Sequence, residues 1–147
     1  RINEKSNGIN EVIVYGYLPL MITRYCPMSV VKGCKDDKNC NSCSLANGYG
    51  LKDRLGKTFY TERKQGSSTI YNSVPLFVLE ELKEIFSKGI SMARLDFTIE
   101  KDNIREIQAI HYDYSKGLVS EDEVKEYANR FKENNDITKG HFFRGVM

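Results

Sequence analysis

The sequence predicts an α/β fold, and three observations carry that expectation. Residues 74–115 read as helix, strand, helix, the order that ends a parallel α/β assembly. Residues 11–23 (EVIVYGYLPLMIT) are rich in β-branched and aromatic side chains and read as strand. All four cysteines fall within 18 residues, among turn-forming side chains, so the front half reads as an inserted or decorating element.

Residues 1–10 are polar, include Gly8, and carry no periodic pattern. Residues 11–23 form one buried strand, or two broken at 16–19, because Gly16 and Pro19 interrupt a ladder. The cysteine loop runs to about residue 47. Residues 48–64 read as a hairpin with its turn at 55–57, and residues 67–71 as another short strand. Asn72-Ser73-Val74-Pro75 reads as a helix start with Pro75 in the first turn. That helix is expected to reach residue 88, with Leu76, Leu79, Leu82 and Phe86 on one face and Gly89 as the stop. Residues 91–98 alternate Met92, Arg94 and Asp96 against Ala93, Leu95 and Phe97, a strand pattern. Residues 102–115 place Ile104, Ile107 and His111 on one helical stripe, with Ile110 and Tyr114 beside it. Ser120 followed by Glu123 is a capping box opening a third helix, whose apolar face is Val124, Tyr127, Ala128 and Phe131. The tail at 136–147 is aromatic and basic.

A chain of 147 residues has the size of one domain or a piece of a larger one. It is read as a single domain fragment: strand region 11–23, cysteine metal loop 24–47, hairpin region 48–71, helix-strand-helix-helix 72–135, tail 136–147. It begins at Arg1 rather than Met, which reads as excision or processing. With 40% hydrophobic and 29% charged residues it is neither a disordered tail nor a coiled-coil rod. No stretch approaches the roughly 20 apolar residues that cross a bilayer, and the first residues lack a signal-peptide core, so no membrane partner and a cytoplasmic location are expected. The formal net charge of +2 argues against a dedicated nucleic-acid binder, although residues 32–64 carry eight basic against four acidic side chains.

Cys26, Cys34, Cys40 and Cys43 follow the pattern C-x7-C-x5-C-x2-C. Disulfides need an oxidising compartment, and nothing marks export. Unliganded structural thiols are more often scattered through a core. Four thiolates in one short loop can close around zinc or a 4Fe–4S cluster. Gly33, Asp36, Asp37, Asn39, Asn41 and Ser42 between the cysteines favour tight turns and cannot build an apolar core, so a metal would supply the missing order. Charge does not choose the metal, because zinc on four thiolates is also anionic. For tetrahedral zinc with Zn–S of about 2.3 Å, the sulfurs would lie about 3.5–4 Å apart.

The first block resembles the signature of peptidase family U32, the collagenase-like peptidases. Glu11, Gly16, Leu18, Cys26, Met28 and Ser29 stand at signature positions, while Ile13, Tyr17, Pro19 and Arg24 depart from it. Residues 14–27, 72–76, 94–98 and 140–146 look like the same family. The resemblance implies the C-terminal part of a longer protein, a fragment of a divergent TIM-type barrel with an inserted cysteine loop and β-hairpin, whose partner is the remainder of the barrel. Several members are described as proteases. Others hydroxylate RNA bases or a ubiquinone precursor and carry a 4Fe–4S cluster on four cysteines. Only Cys26 carries over residue by residue. Pro19 in place of the first signature cysteine implies a ligand set shifted downstream, to Cys34, Cys40 and Cys43.

Catalytic residues are not identified from the sequence. His111 and His141 lack a nucleophile or H-E-x-x-H context. His111 reads as a packed helix residue, and His141, beside Phe142 and Arg144, as structural or as part of a substrate channel. Glu11 and Asp96 fall in apolar strands, where a carboxylate needs a partner. If the face bearing Arg94 and Asp96 points into a barrel, then Glu11, Arg94, Asp96 and His141 are candidate pocket residues. Tyr60, Tyr71 and Tyr112 read as core, with base stacking as the alternative. Three functions remain: a metal-bearing peptidase, an iron–sulfur hydroxylation enzyme, and a non-catalytic zinc-stabilised module binding RNA or protein. An isolated barrel piece would also expose strand edges at 91–98 or 11–15 and self-associate, most simply as a homodimer.

Overall fold

The computed structural model describes residues 8–34, 43, 48–64 and 66–140. Mixed α/β content is found, with two sheets and four helices among the described residues, and these form no closed barrel. The chain divides into two compact units, Arg1–Tyr17 with Val74–Met147, and Leu18–Ser73. The second interrupts the first in sequence.

In the first unit, β1 (Glu11–Gly16) lies between β6 (Leu76–Phe77) and β7 (Met92–Asp96). It runs antiparallel to β6 and parallel to β7, the latter pairing Glu11 with Met92 and Gly16 with Asp96. Gly16 has φ +129°, and a Cβ there would lie 2.2 Å from the Asp96 carbonyl oxygen, so the close approach to β7 requires glycine. β1 is thus central at Tyr15 and Gly16, while residues 11–13 pair only with β7 among the described residues, so part of the edge expected at 11–15 is present.

The expected helix over 75–88 is replaced by β6 and a shorter α2 (Leu82–Ser87). Leu76, Phe77, Val78 and Leu79 are all at most 2% exposed, and a helix with one buried face cannot bury four consecutive side chains. The extended form is held on both sides. Val78 N–H donates to the Val14 carbonyl at 3.2 Å, Phe77 N–H to Thr138 at 2.9 Å, and Thr138 N–H to Pro75 at 2.9 Å.

α3 (Ile104–Ser115) buries Ile107, His111 and Tyr114. α4 (Glu121–Asn134) buries Val124, Tyr127 and Ala128. Its capping box forms as expected: Glu123 N–H donates to Ser120 Oγ at 3.3 Å, and Ser120 N–H donates to the Glu123 carboxylate at 2.7 Å. The Ser120 backbone and hydroxyl donors hold the Glu123 carboxyl below its ordinary pKa. The core is aromatic at its centre. Phe77 stacks on Phe131 with centroids 4.7 Å apart, and Tyr15 packs against Phe77, Phe97, His111 and Phe131.

The second unit is one antiparallel sheet in the order β2-β5-β4-β3. Its strands are β2 (Pro19–Thr23), β3 (Tyr49–Lys52), β4 (Thr58–Lys64) and β5 (Ser67–Tyr71). The β3–β4 hairpin turns at Asp53, whose Oδ1 accepts from Leu55 N–H at 2.8 Å and Lys57 N–H at 2.9 Å. A short α1 (Met28–Lys32) follows β2, ending at Gly33 in the left-handed region at φ +64°. β2 was expected to be buried. Instead it is an edge strand whose Leu20, Met21 and Ile22 are 58%, 55% and 71% exposed, so neither of its faces is covered among the described residues.

Candidate metal centre in the cysteine segment

Cys26 immediately precedes α1 and Cys34 immediately follows its Gly33 cap. Ser29 N–H donates to the Cys26 carbonyl at 2.9 Å, and Cys34 N–H to the Ser29 carbonyl at 3.0 Å. α1 and its two caps thus occupy the whole stretch between these two cysteines. Cys26 and Cys43 are half-buried, Cys34 is exposed, and all three are free thiols. Cys40 lies outside the described residues. Among the described residues no three His, Cys, Asp or Glu side chains converge as a metal-binding group, so Cys26, Cys34 and Cys43 are not gathered as the spacing led one to expect. The short helix between Cys26 and Cys34 is the element the cysteine pattern did not reveal.

The surroundings suit a thiophilic ion. The Tyr49 hydroxyl, from β3, is buried in the neighbourhood of the Cys26 thiol, the Met28 backbone and Arg63. Burial pushes it up to about 12, with the neighbouring Cys26 adding to the effect. Arg63, from β4, donates to Ser68 Oγ at 3.2 Å and to the Arg24 carbonyl at 3.4 Å, at the entrance of the same segment. A cationic guanidinium and a spare hydroxyl donor are what an anionic thiolate set uses. Soft thiols select zinc or iron–sulfur centres over hard cations.

The other candidate residues separate. Arg94 Nη1 sits 2.9 Å from Glu11 Oε1 across the β1–β7 pair, both side chains 39–50% exposed. They form a surface ion pair rather than a buried one. Asp96 stands two residues beyond Arg94, half-buried, in register with Gly16. His141 lies outside the described residues. His111 is 4% exposed, its Nδ1 is 2.7 Å from the Ile107 carbonyl, and burial lowers its pKa to about 4. Edge-on rings of Tyr15 and Phe77 flank it, so it is a packed core residue, as its helical stripe indicated. Of the three tyrosines read as core, Tyr60 and Tyr112 are 39% and 58% exposed, and Tyr71 donates its hydroxyl to Glu62 at 3.3 Å.

An open cleft of about 210 Å³ lies between α3 and α4, lined by Asn103, Glu106, Tyr127, Arg130, Phe131 and two asparagines. Of the pocket residues expected from sequence, Glu11, Arg94 and Asp96 do not border it. No helix among the described residues is long and apolar enough to cross a membrane. No protein-family model matches the chain, and neither a curated protein nor a solved structure matches it.

Proposed function

We propose that the chain is the C-terminal part of a protein of the collagenase-like peptidase family U32, a piece of a TIM-type barrel whose Cys26, Cys34, Cys40 and Cys43 hold a metal centre. One observation supports the metal above all. Among the described residues, the unit that contains the cysteines buries no apolar side chain completely; its two fully buried residues are Thr61 and Ser68. A unit this small and without an apolar core needs another staple, and a four-thiolate centre is the one its sequence offers.

Peptide hydrolysis is the activity that the family's name carries. Against it, His111 is buried with Nδ1 2.7 Å from the Ile107 carbonyl, which leaves it unavailable as a general base. The cysteines favour the family's other chemistry, iron–sulfur-dependent hydroxylation of RNA bases or of a quinone precursor, carried out by the whole barrel. A 4Fe–4S cluster would supply redox chemistry. Cys26 and its three companions would hold it, while Tyr49 and Arg63 would set its electrostatic surroundings. The exposed edge strand β2 is read as the surface taken by the rest of the barrel or by a second copy of the chain.

Metal and sulfide analysis of the full-length protein purified without oxygen tests the reading. Iron with acid-labile sulfide and visible charge-transfer absorption supports hydroxylation chemistry. Zinc together with salt-dependent RNA binding points to a non-catalytic module. Cleavage of gelatin by the full-length protein, lost on mutating the site, returns the peptidase reading. Absence of any metal rejects the centre.

A further inference from the structure

Half of the large apolar side chains exposed among the described residues fall within one short run of chain. Leu20, Met21 and Ile22 of β2, Tyr25 after it, and Val30 and Val31 of α1 are each 55–74% exposed. A single exposed leucine is ordinary, but a run of this kind marks a surface that another molecule covers. β2 is also open along one side. It pairs with β5 alone, so its outer edge presents backbone groups with no partner strand among the described residues. Edge strands that stay single are commonly blunted by lysines, inward charges, bulges or proline. β2 has Pro19 and a register shift beside it, both at its start, whereas Met21, Ile22 and Thr23 continue in regular pairing with β5. No charged residue stands between Tyr17 and Thr23.

The charge pattern selects the occupant. An uncharged strand has no electrostatic code to steer a different protein or to reject a wrong one. Against its own copy it is self-complementary. A two-fold axis through the middle of β2 sets two such strands antiparallel, so apolar side chains meet apolar side chains and each contact is made twice. Arg24, the nearest charge, then falls at opposite ends of the ladder in the two copies and meets no like charge. We propose that β2 is a homodimer interface, in which two copies join their open edges antiparallel and two four-stranded sheets become one. The six exposed side chains offer on the order of several hundred Å², a large part of the roughly 800 Å² that each partner gives to a stable interface. Neither the metal centre nor the family resemblance is needed for this.

Sedimentation equilibrium of the 147-residue chain tests it, in reductant so that the exposed Cys34 forms no bond between chains. The parent should pass from one chain mass to two as its concentration rises through the micromolar range, and the amides of β2 should exchange more slowly in the dimer. Ile22→Lys changes a side chain 71% exposed, so the fold should survive, and dimerisation should weaken at least about 10-fold because two like charges meet across the axis. Met92→Lys, on β7 at the edge of the other sheet, should leave dimerisation unchanged. A parent that stays at one chain mass at every concentration overturns the proposal and leaves the edge to a different partner. A dimer that Met92→Lys disrupts and Ile22→Lys does not overturns it as well. So does a dimer whose β2 amides exchange as fast as those of the monomer, a readout that needs no variant to fold.

Discussion

The two units of this chain bury opposite kinds of side chain. In the unit built from β1, β6, β7 and α2–α4, the buried set is Val14, Tyr15, Leu76, Phe77, Leu79, Ile107, Val124 and their neighbours. In the unit Leu18–Ser73, Thr61 and Ser68 are buried while Leu20, Ile22, Val30, Val31 and Leu55 are 58–74% exposed. The first has the ordinary means of stability, apolar area removed from water. The second has sheet hydrogen bonds and a mixed face on which Leu51, Phe59 and Ile70 are only half-buried beside Thr61 and Ser68. On the proposed reading, the four cysteines take the place of an apolar core in the unit that lacks one.

Core truncation in the first unit tests the contrast with the largest single effect. Phe77→Ala removes a ring packed against Tyr15, His111 and Phe131 and should cost about 3–5 kcal/mol in denaturant unfolding. Tyr60→Ala in the second unit, exposed on its sheet, should cost far less under the same denaturant.

Acid should act next, and again on the first unit. His111 titrates near 4 when folded, because burial disfavours its cation, against about 6.5 when unfolded. The unfolded chain therefore binds the proton more tightly. The contribution is intact above pH 6.5 and is lost progressively as pH falls from 6.5 to 4, by about 3 kcal/mol in all. A pH series of melts on the parent and on His111→Phe checks this; the variant should lose that part of the acid slope.

Smaller effects follow. Ser120→Ala removes the cap of α4 and should cost about 1 kcal/mol, visible as a lower melting temperature. Glu11→Gln breaks a half-exposed ion pair with Arg94 and should cost less than about 1 kcal/mol, vanishing in high salt. If the full-length protein loses activity with that variant at unchanged stability, the pair belongs to a site rather than to the sheet edge.

Much of the first unit was legible in the sequence. The capping box at Ser120 and Glu123, the stripe of Ile107, His111 and Tyr114, and the alternation at 92–96 rest on local chemistry, and each is found. The segment 75–88 was misread because its apolar spacing also fits a helix, whereas its extended form depends on Val14 and on Thr138, some 60 residues away in sequence. The hairpin over residues 48–64 was readable from composition, but the burial of Thr61 and Ser68 was not, since isolated hydroxyl residues in a strand normally face water. Cysteine spacing was read as a ligand set; it did not reveal α1, which begins just after Cys26, or the nearby Tyr49 of β3.

Amide hydrogen exchange on the whole chain, metal-free and after one equivalent of zinc added without oxygen, tests the substitute-core account most directly. Protection in β2–β5 should be weak without metal and rise strongly with it, while α3, α4 and β1 exchange alike in both states. Strong protection of β2–β5 in the metal-free chain, unchanged by zinc, would contradict the account.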